Sequence, residues 1–341
     1  MSVETDSLTA AKFETFFSSP PKRQQMTTLL ICGYSYSIGR LCGRGAFADV
    51  YESSDEHSTD QFSVLALKMS RSPDSLMLTW EFVISRRLFS RIDANQCAHF
   101  YHPQRLHKVN EISVLVSPFG MHGTLQDALN TVIVSRGVAM NEIVAMYFTV
   151  ELFRCLEILH NAQIIHADIK PDNLLLRLDG IKWEEWKPSR PGNWQNRGLT
   201  IIDFGRAVDL TSYPPGTEFL GDSGTESFRC TEMQNGKPWL FQPDTFGALG
   251  CVHAMLWGTY MEVYFDTSLC RWRRKASLRR YWACDLWEPL FDTLLNLEHR
   301  VFPPWRMLRN NLEVYLSKPA QSRLLRQHLL ELTVLLSEHC A

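Results

Sequence analysis

Ten residues near the middle of the chain, IIHADIKPDN at 164–173, constrain its fold more than any other stretch. Two isoleucines lead to His166, after which Asp168, Lys170 and Asn173 stand in a short polar loop ahead of three leucines. A polar loop between two apolar strands can be a plain connection. A carboxylate, an ammonium and an amide at this spacing can equally form a site for proton and phosphate chemistry. The other segments must decide between the two interpretations.

Two glycines stand in the segment GRGAFADVY at residues 43–51. Gly43 and Gly45 carry no Cβ, so backbone N–H groups there can approach phosphate oxygens closely. Ala48 replaces the third glycine of the common G-x-G-x-x-G pattern. A dinucleotide-binding fold needs a helix directly after the glycines, whereas Val50 and its successors are typical of a strand. The segment therefore predicts a strand–turn–strand flap over a phosphate group.

A lysine closes the next apolar run. Residues 64–68, VLALK, have the pattern of a buried strand ending at Lys68, and a helical pattern follows from Trp80 to Leu88, with Glu81 near its start. Lys68 can be an ordinary edge charge, and Glu81 a solvated carboxylate. An ion pair between them would instead aim the ammonium at phosphate, a task that suits a compact point charge.

Three further segments surround the central loop. Residues 141–160 carry apolar side chains at helical spacing, with Asn141 as N-cap, and predict a long amphipathic helix leading into the loop. We expect the Trp-rich stretch 177–198 either to cap the back of the domain or to bind a partner. An apolar strand at 199–202 then ends on Asp203-Phe204-Gly205, which predicts a carboxylate opposite Asn173 across a strand pair.

These residues stand in the order of the eukaryotic protein-kinase motifs, and the chain resembles that family from about Tyr34 to its C-terminus. The loop resembles H-R-D-x-x-x-x-N, VLALK resembles V-A-I-K, and Asp203 opens a D-F-G. The segments WEF, KPWLFQPDTFG and GTYMEV are similar to the kinase domain of the Bub and BubR spindle-assembly-checkpoint proteins. Nothing resembles the long helical repeats of those proteins, so we expect the kinase region alone or a shortened form.

The resemblance implies an α+β fold, the bilobal eukaryotic protein-kinase fold. We expect an N-terminal extension at 1–29, a β-rich N-lobe at 30–120 and a helical C-lobe at 121–341 that contains the insertion 177–198. The pattern also predicts a short helix at 124–130. A final helix at 324–336 carries leucines that are either core or a docking surface for a partner.

The resemblance also implies roles for individual residues, with ATP and Mg²⁺ as cofactors. Asp168 would orient a hydroxyl and accept its proton, Lys170 would balance charge on the transferred phosphoryl group, and Lys68 would contact the α- and β-phosphates. The implied residues are catalytic Asp168, Lys170, Lys68, Glu81 and Thr225; nucleotide-binding Gly43, Gly45, Val50, Ala66, Lys68, Pro118, Gly120 and Leu175; and metal-binding Asn173 and Asp203.

The hinge between the lobes is expected in SPFGMHG at 117–123. Pro118 would stand where only a carbonyl is needed, so its missing N–H costs nothing, and Gly120 would donate its N–H to adenine. Val50, Ala66 and Leu175 would enclose the ring, although each is also an ordinary core residue.

Ala167 departs from the kinase pattern, in which an Arg at that position commonly holds an activation-loop phosphate. Four residues would lack this anchor if they were phosphorylated: Thr211, Ser212, Thr217 and Ser223. We therefore predict that the segment 203–232 is ordered by its own packing, with Tyr213-Pro214-Pro215 stiffening it.

The implied function is that of a Ser/Thr protein kinase of the spindle-assembly checkpoint. Its implied substrates are histone or kinetochore proteins, its partners checkpoint proteins, and its location the nucleus and cytoplasm, with kinetochores in mitosis. The alternative is a pseudokinase, an ATP-binding or nucleotide-free scaffold with little or no phosphotransfer. Ala48, Ala167 and the eroded A-P-E motif at 230–232 favour that alternative, whereas the intact proton-, metal- and phosphate-handling positions favour an active enzyme.

Composition argues against several other classes. The formal net charge of −2 indicates neither a nucleic-acid nor a membrane partner. Nine cysteines, an odd number without a C-x-x-C pair, favour reduced thiols over a disulfide framework or a zinc site. The opening residues MSVETDSLTA lack an apolar run, and no apolar stretch is long enough to span a membrane. We expect a soluble intracellular protein.

Overall fold

The computed structural model describes residues 2–4, 16, 26–45, 48–55, 64–70, 75–178, 185–222 and 224–340. Contacts divide these residues into two compact units. The first unit takes the described residues of Met1–Arg91, Tyr101–Gly120 and Asp203–Gly205, and the second those of Ile92–Phe100, Met121–Ile202 and Arg206–Ala341.

The described part of the first unit forms a seven-stranded sheet of order β1-β6-β7-β5-β4-β3-β2, flanked by helix α1. The elements are β1 (Ser2–Glu4), β2 (Thr27–Ile31), β3 (Tyr34–Arg44), β4 (Asp49–Asp55), β5 (Val64–Ser70), α1 (Ser75–Phe89), β6 (Arg105–Val109) and β7 (Ile112–Pro118). Alternate side chains of these strands, among them Tyr36, Ile38, Leu65 and Leu67, are buried in one core cluster, as the two-residue period of a half-buried strand requires.

The stretch 1–29, expected as an N-terminal extension, contains β1 and the first residues of β2. β1 pairs in parallel with β6, and β2 pairs with β3 from Thr27↔Ile38 to Ile31↔Tyr34. The turn between β2 and β3 consists of Cys32 and Gly33, both with positive φ, at 48° and 81°. Two positive φ angles match the twist of a hairpin, but Cys-Gly is not one of the usual turn pairs. The stretch Ala10–Phe17, whose sequence suggests a short helix, lies outside the described residues apart from Phe16.

Helix α1 begins at Ser75, five residues before the helical pattern from Trp80 indicates. Glu81 therefore lies in the middle of the helix and not at its opening. The face of α1 toward the sheet carries Leu78, Ile84 and Leu88, all buried, at the spacing of an amphipathic helix.

The described part of the second unit is mainly helical, with three two-stranded sheets, β8–β11, β9–β10 and β12–β13. The helices are α2 (Leu125–Arg136), α3 (Glu142–Asn161), α4 (Thr231–Gln234), α5 (Gln242–Trp257), α6 (Cys284–Leu295), α7 (Trp305–Leu316) and α8 (Pro319–Cys340). The strands are β8 (Ile164–Ile165), β9 (Leu174–Arg177), β10 (Gly198–Ile201), β11 (Val208–Asp209), β12 (Val263–Asp266) and β13 (Arg271–Arg274).

Helix α3 is the centre of this unit and confirms the predicted amphipathic helix. Asn141 caps it, since its side chain accepts a hydrogen bond from Ile143 N–H, and the helix packs against α5, α7 and α8. Helix α2 is longer than the predicted 124–130, because the chain stays helical until Gly137 ends it in a left-handed conformation with φ 65°.

The described part of the Trp-rich insertion, 185–198, is packed into the second unit. Trp186 and Trp194 are both buried. The backbone N–H of Trp186 donates to Ser322 Oγ of α8 at 2.9 Å, and the Trp194 ring lies 5.8 Å from that of Tyr147 on α3. Of the two interpretations of the insertion, these residues support the cap on the back of the domain.

Buried leucines along α8 place that helix in the core of the second unit. Leu325, Leu329, Leu332 and Leu336 are all buried, so the core interpretation of this helix holds for them. None of the helices in the described ranges is both long and apolar enough to cross a membrane.

Candidate active site

Lys68 lies between two carboxylates in the first unit. Its Nζ is 2.8 Å from Glu81 Oε2 on α1 and 2.8 Å from Asp203 Oδ1. The Glu81 side chain is only 2% exposed, whereas that of Asp203 is 39% exposed. The predicted ion pair between Lys68 and Glu81 is therefore present, and Asp203 makes it a triad.

The charges of this triad support one another. Burial would lower the pKa of Lys68, but the carboxylates of Glu81 and Asp203 outweigh burial and raise that pKa above its ordinary value. Burial also raises the pKa of Glu81, and the nearby Lys68 opposes this increase. Lys68 is thus a persistent positive charge with one buried and one accessible partner.

Neighbouring strands bring other predicted nucleotide-binding residues close to Lys68. Gly43 on β3 stands opposite Val50 on β4, and Val50 stands opposite Lys68 on β5. Ala66, two residues before Lys68, is paired with Ser117 on β7. Because residues two apart in a strand share a face, Ala66 and Lys68 point to the same side of the sheet.

The predicted strand–turn–strand flap is confirmed by the antiparallel pairing of β3 with β4. In the turn, Gly45 N–H donates to the Ala48 carbonyl oxygen at 2.9 Å. A Cβ on Gly45 would lie 3.1 Å from that oxygen, so a side chain there would force the turn to shift. Residues 46–47 lie outside the described ranges.

Pro118 and Gly120 follow directly on the last strand of the first unit. Pro118 ends β7, opposite Leu65 of β5. The next residue resumes the hydrogen bonds, with Phe119 N–H donating to the Val64 carbonyl oxygen at 3.0 Å. The missing N–H of Pro118 thus interrupts the ladder only at its end. Gly120 is the last residue of this stretch in the first unit.

Tyr101 is a neighbour of this site that the sequence pattern did not reveal. Its hydroxyl is hydrogen-bonded to the buried Ser117, and burial raises the pKa of Tyr101 to about 12. Its backbone carbonyl accepts a hydrogen bond from Ser85 Oγ of α1 at 3.3 Å. The large side chain of Tyr101 therefore lies next to the small side chain of Ser117. Tyr101 opens the irregular stretch 101–104, so no periodicity could predict its position.

In the second unit, Asp168 is the centre of a hydrogen-bonded cluster. Its Oδ2 accepts from Lys170 Nζ at 3.0 Å and from Asn173 Nδ2 at 3.3 Å. Its Oδ1 accepts from the Thr225 hydroxyl at 3.3 Å, and Lys170 Nζ donates to that same hydroxyl at 2.7 Å. The structure therefore brings Asp168, Lys170, Asn173 and Thr225 together.

Gly224 allows the segment of Thr225 to approach the loop closely. Its φ is 94°, and a Cβ on it would lie 3.2 Å from the Ala167 carbonyl oxygen and 3.6 Å from Asp168 Oδ1. Any side chain would be strained in this left-handed conformation and would press on the loop. The contact between Thr225 and Lys170 thus depends on a glycine immediately before Thr225.

The β9–β10 pair extends from the end of this loop. Ile202 N–H donates to the Asn173 carbonyl oxygen at 3.0 Å, so Asn173 lies where the strand pair opens. Leu175, on β9, is half-buried and stands opposite Thr200 on β10.

The first turn of α5 holds the loop 164–173 in place through hydrogen bonds to its backbone. Asp244 is fully buried; its Oδ2 accepts from His166 N–H at 2.8 Å and its Oδ1 from Ala167 N–H at 2.8 Å. A Cβ on Gly247, one turn later, would collide with the Ile169 carbonyl oxygen. The buried helix α5 thus anchors the loop through Asp244 and through its close approach at Gly247.

The segment after Arg206 makes several packing and hydrogen-bond contacts in its described part. Phe219 and Trp239 exchange backbone hydrogen bonds at 3.1 and 2.9 Å, and Trp239 Nε1 donates to the Gly221 carbonyl oxygen at 3.0 Å. Glu218 accepts from Arg300 Nε at 2.6 Å. These contacts fit the prediction of order by packing. Ser223 lies outside the described residues.

The side chains of Asn173 and Asp203 each offer an oxygen ligand of the kind that suits Mg²⁺. Both hydrogen bonds of the Asn173 side chain use Nδ2, which leaves its amide oxygen, and Asp203 supplies a carboxylate. Mg²⁺ prefers oxygen ligands and usually keeps water and phosphate oxygens beside one or two protein groups. In the part of the chain that the structure describes, no three His, Cys, Asp or Glu side chains form a metal-binding group.

Comparisons with known families, proteins and solved structures all indicate the same family. The protein kinase domain family matches residues 36–269. The chain is 40% identical over 292 residues to the mitotic checkpoint serine/threonine-protein kinase BUB1 of Arabidopsis thaliana, covering 84% of the chain and 54% of that protein. It is 34% identical over 282 residues to the spindle assembly checkpoint serine/threonine-protein kinase BUB1 of Saccharomyces cerevisiae, covering 77% of the chain and 26% of that protein.

Among solved structures, a BubR1 kinase domain matches 96% of this chain and 96% of its own, with a TM-score of 0.79 and 27% identity. The chain spans about half of the Arabidopsis relative and about a quarter of the yeast relative. The similarity to both therefore concerns the kinase region that they share with this chain.

Proposed function

The chain belongs to the protein kinase domain family, and from that premise we propose that it is an ATP-dependent kinase that phosphorylates serine and threonine residues of proteins. The family match and the likeness to the BubR1 kinase domain confirm the predicted α+β kinase fold. The observation that carries the proposal is the cluster in which Lys170 and Thr225 share hydrogen bonds with the Asp168 carboxylate.

Asp168 is the proposed base. Its carboxylate accepts three hydrogen bonds from Lys170, Asn173 and Thr225, which hold it in one orientation for a substrate hydroxyl. Phosphoryl transfer asks the protein mainly for positioning and charge stabilisation. The ammonium of Lys170, held by Thr225 at 2.7 Å, is proposed to balance charge on the transferred group.

The Lys68–Glu81 pair is proposed to orient the phosphates of ATP. Mg²⁺, when bound, would neutralise charge on the phosphate oxygens, and Asn173 and Asp203 are its proposed oxygen ligands. The proposed nucleotide-binding residues are Gly43, Gly45, Val50, Ala66, Lys68, Pro118, Gly120 and Leu175, on the basis of their places in the kinase motifs.

We also propose a role in the mitotic checkpoint, because relatives named as checkpoint kinases are 40% and 34% identical to this chain. The proposed substrates are histone or kinetochore proteins, and the proposed partners are checkpoint proteins. A nuclear and cytoplasmic protein that reaches kinetochores in mitosis would fit this role.

The test is transfer of radiolabelled phosphate from ATP to a histone or kinetochore protein. Asp168→Asn should reduce the rate at least about 100-fold, the smaller end of what a general base contributes. Asp172→Asn, a carboxylate in the same loop that is exposed, is the matched control and should keep the wild-type rate.

The alternative function, a pseudokinase scaffold, predicts a different result. Wild type, Asp168→Asn and Asp172→Asn would then show the same residual signal. The intact cluster around Asp168 and the intact Lys68–Glu81 pair favour the enzyme, and a scaffold would have no need of both.

We propose that activity does not depend on phosphorylation of the segment 206–232. The contacts of Phe219, Trp239 and Glu218 order the described part of this segment. Protein verified as unphosphorylated by mass spectrometry should therefore reach its full rate without a lag. A lag that disappears after Thr217 or a neighbour is modified would contradict this proposal.

A further inference from the structure

A tryptophan far from the loop in sequence lies at the end of a buried chain of hydrogen bonds. Trp305 is the first residue of α7, and its Nε1 donates to His160 Nδ1 at 3.0 Å. His160 Nε2 lies 2.9 Å from Asp244 Oδ2. Trp305, His160 and Asp244 are exposed by 1%, 0% and 0%. We name these three residues the indole–histidine–aspartate relay.

The indole determines which nitrogen of His160 carries the proton. An indole N–H can only donate, so His160 Nδ1 must be the acceptor and the proton must sit on Nε2. In that tautomer Nε2–H donates to the Asp244 carboxylate. The opposite tautomer would set two N–H groups against each other at Nδ1 and a lone pair against the carboxylate at Nε2.

Asp244 connects His160 to the catalytic loop through hydrogen bonds. Its carboxylate accepts from His160 Nε2 and from the backbone amides of His166 and Ala167. Ala167 has a left-handed φ of 62°, which a non-glycine residue adopts only where its surroundings enforce it. The bond to Asp244 Oδ1 is one such constraint, and Asp168 is the next residue.

Aromatic rings keep this relay dry. The His160 ring lies 4.7 Å from that of Phe241 and 6.1 Å from that of Phe302. Because water is excluded, solvent cannot replace a donor that is lost from the relay. Removing the Trp305 N–H therefore changes the hydrogen bonding of His160 and Asp244.

We propose that Trp305 is a positioning residue for the catalytic loop. It fixes the tautomer of His160, which orients Asp244. Asp244 in turn holds the consecutive amides of His166 and Ala167, directly before Asp168, and so places Asp168. This inference rests on the proposed kinase function for its kinetic readout, but the geometry it concerns can be measured without activity.

The test is Trp305→Phe, which keeps an aromatic ring in the core but removes the N–H. We expect kcat to fall about tenfold, in the range reported for removing groups that orient a functional side chain, with the KM for ATP changed less than twofold. Hydrogen exchange of the His166 and Ala167 amides should become faster, since their acceptor is less firmly held.

Trp287→Phe is the matched control. Trp287 is also fully buried, and its Nε1 donates to Glu142 Oε1 at 2.8 Å, so the control loses a comparable bond elsewhere in the same unit. It should leave kcat and loop exchange unchanged at a temperature where both variants are folded. Equal loss of kcat in the two variants would mean a general structural effect and would overturn the proposal.

A double-mutant comparison separates action through His160 from an independent effect. In a His160→Gln background, Trp305→Phe should cause little further loss of kcat, because the link is already broken. Full additivity would overturn the relay. If the wild type itself has no activity, the proposed function fails, and unchanged amide exchange in Trp305→Phe would still be needed to refute the positioning role.

Discussion

Replacing Glu81 by Gln is the most direct test of the charge triad around Lys68. The substitution keeps the size of a side chain that is only 2% exposed but removes its charge. Lys68 then keeps a single carboxylate partner, Asp203, at 2.8 Å. A Mg²⁺–nucleotide that engages Asp203 would compete for this remaining partner.

The magnitude follows from the bonds that Glu81 makes. Its carboxylate accepts from Lys68 Nζ at 2.8 Å and from the Phe204 backbone N–H. A glutamine amide has one acceptor oxygen, so its NH₂ must face one of these two donors. One charge-assisted hydrogen bond is lost, worth about 1.5–3 kcal/mol, and the neutral side chain recovers part of the desolvation penalty. We expect unfolding to become easier by about 2 kcal/mol.

The same loss should appear in catalysis. If Lys68 orients the phosphates only while Glu81 holds it, about 2 kcal/mol of lost transition-state stabilisation lowers kcat/KM for ATP about 30-fold. Steady-state kinetics with varied ATP and denaturant unfolding measure the two effects. Glu52→Gln is the control, since it pairs with the exposed Arg40 and its own side chain is 35% accessible, so its loss should change either quantity little. A Glu81→Gln enzyme with kcat/KM within twofold of wild type would refute the reasoning.

Three further outcomes follow from the structure. Thr225→Val should lower kcat about tenfold because Asp168 loses a donor, whereas Thr225→Ser should not; equal loss would mean that the hydroxyl is irrelevant. Burial lowers the pKa of His107 to about 4, below its ordinary 6.5, so its contribution to stability is complete above pH 6.5 and is lost as the pH falls toward 4. Urea unfolding should show about 3 kcal/mol of this pH dependence between pH 6.5 and pH 4, and His107→Gln should lack it. Arg300→Glu should place a like charge against Glu218 and speed proteolysis after Arg206 relative to the wild type; unchanged cleavage would show that the pair does not order the segment.

Local pattern was enough for the parts of the site that lie close together in sequence. Asp168, Lys170 and Asn173 fall within six residues, and their side chains meet in one cluster. Helix α3 was predictable for a similar reason, because its apolar period and the Asn141 cap are both local signals. Such features depend on residues within one or two turns of each other, so the sequence pattern contains most of the information that fixes them.

Other features depend on partners far along the chain. Trp305 meets His160 across 145 positions, and nothing near Trp305 distinguishes it from any other core tryptophan. Tyr101 is paired with Ser117 from an irregular stretch. The Cys32-Gly33 turn was missed because Cys-Gly is not one of the usual turn pairs. The start of α1 at Ser75 does carry a local signal, since Asp74-Ser75 is typical of a helix start.

The substitution at Ala167 is best understood from what surrounds it. Ala167 is buried in an apolar cluster with Ile165 and Phe241, and Val208 and Leu210 pack against the same cluster. The last two residues belong to the segment that an Arg–phosphate contact commonly orders in kinases. An Arg side chain at 167 would have to leave this cluster or bury an unpaired charge in it, which is costly. The methyl group thus contributes to an apolar anchor where many kinases have an ionic one. An apolar anchor needs no phosphate, and so the residue that first suggests a damaged catalytic loop instead contributes packing contacts to the segment that contains Val208 and Leu210.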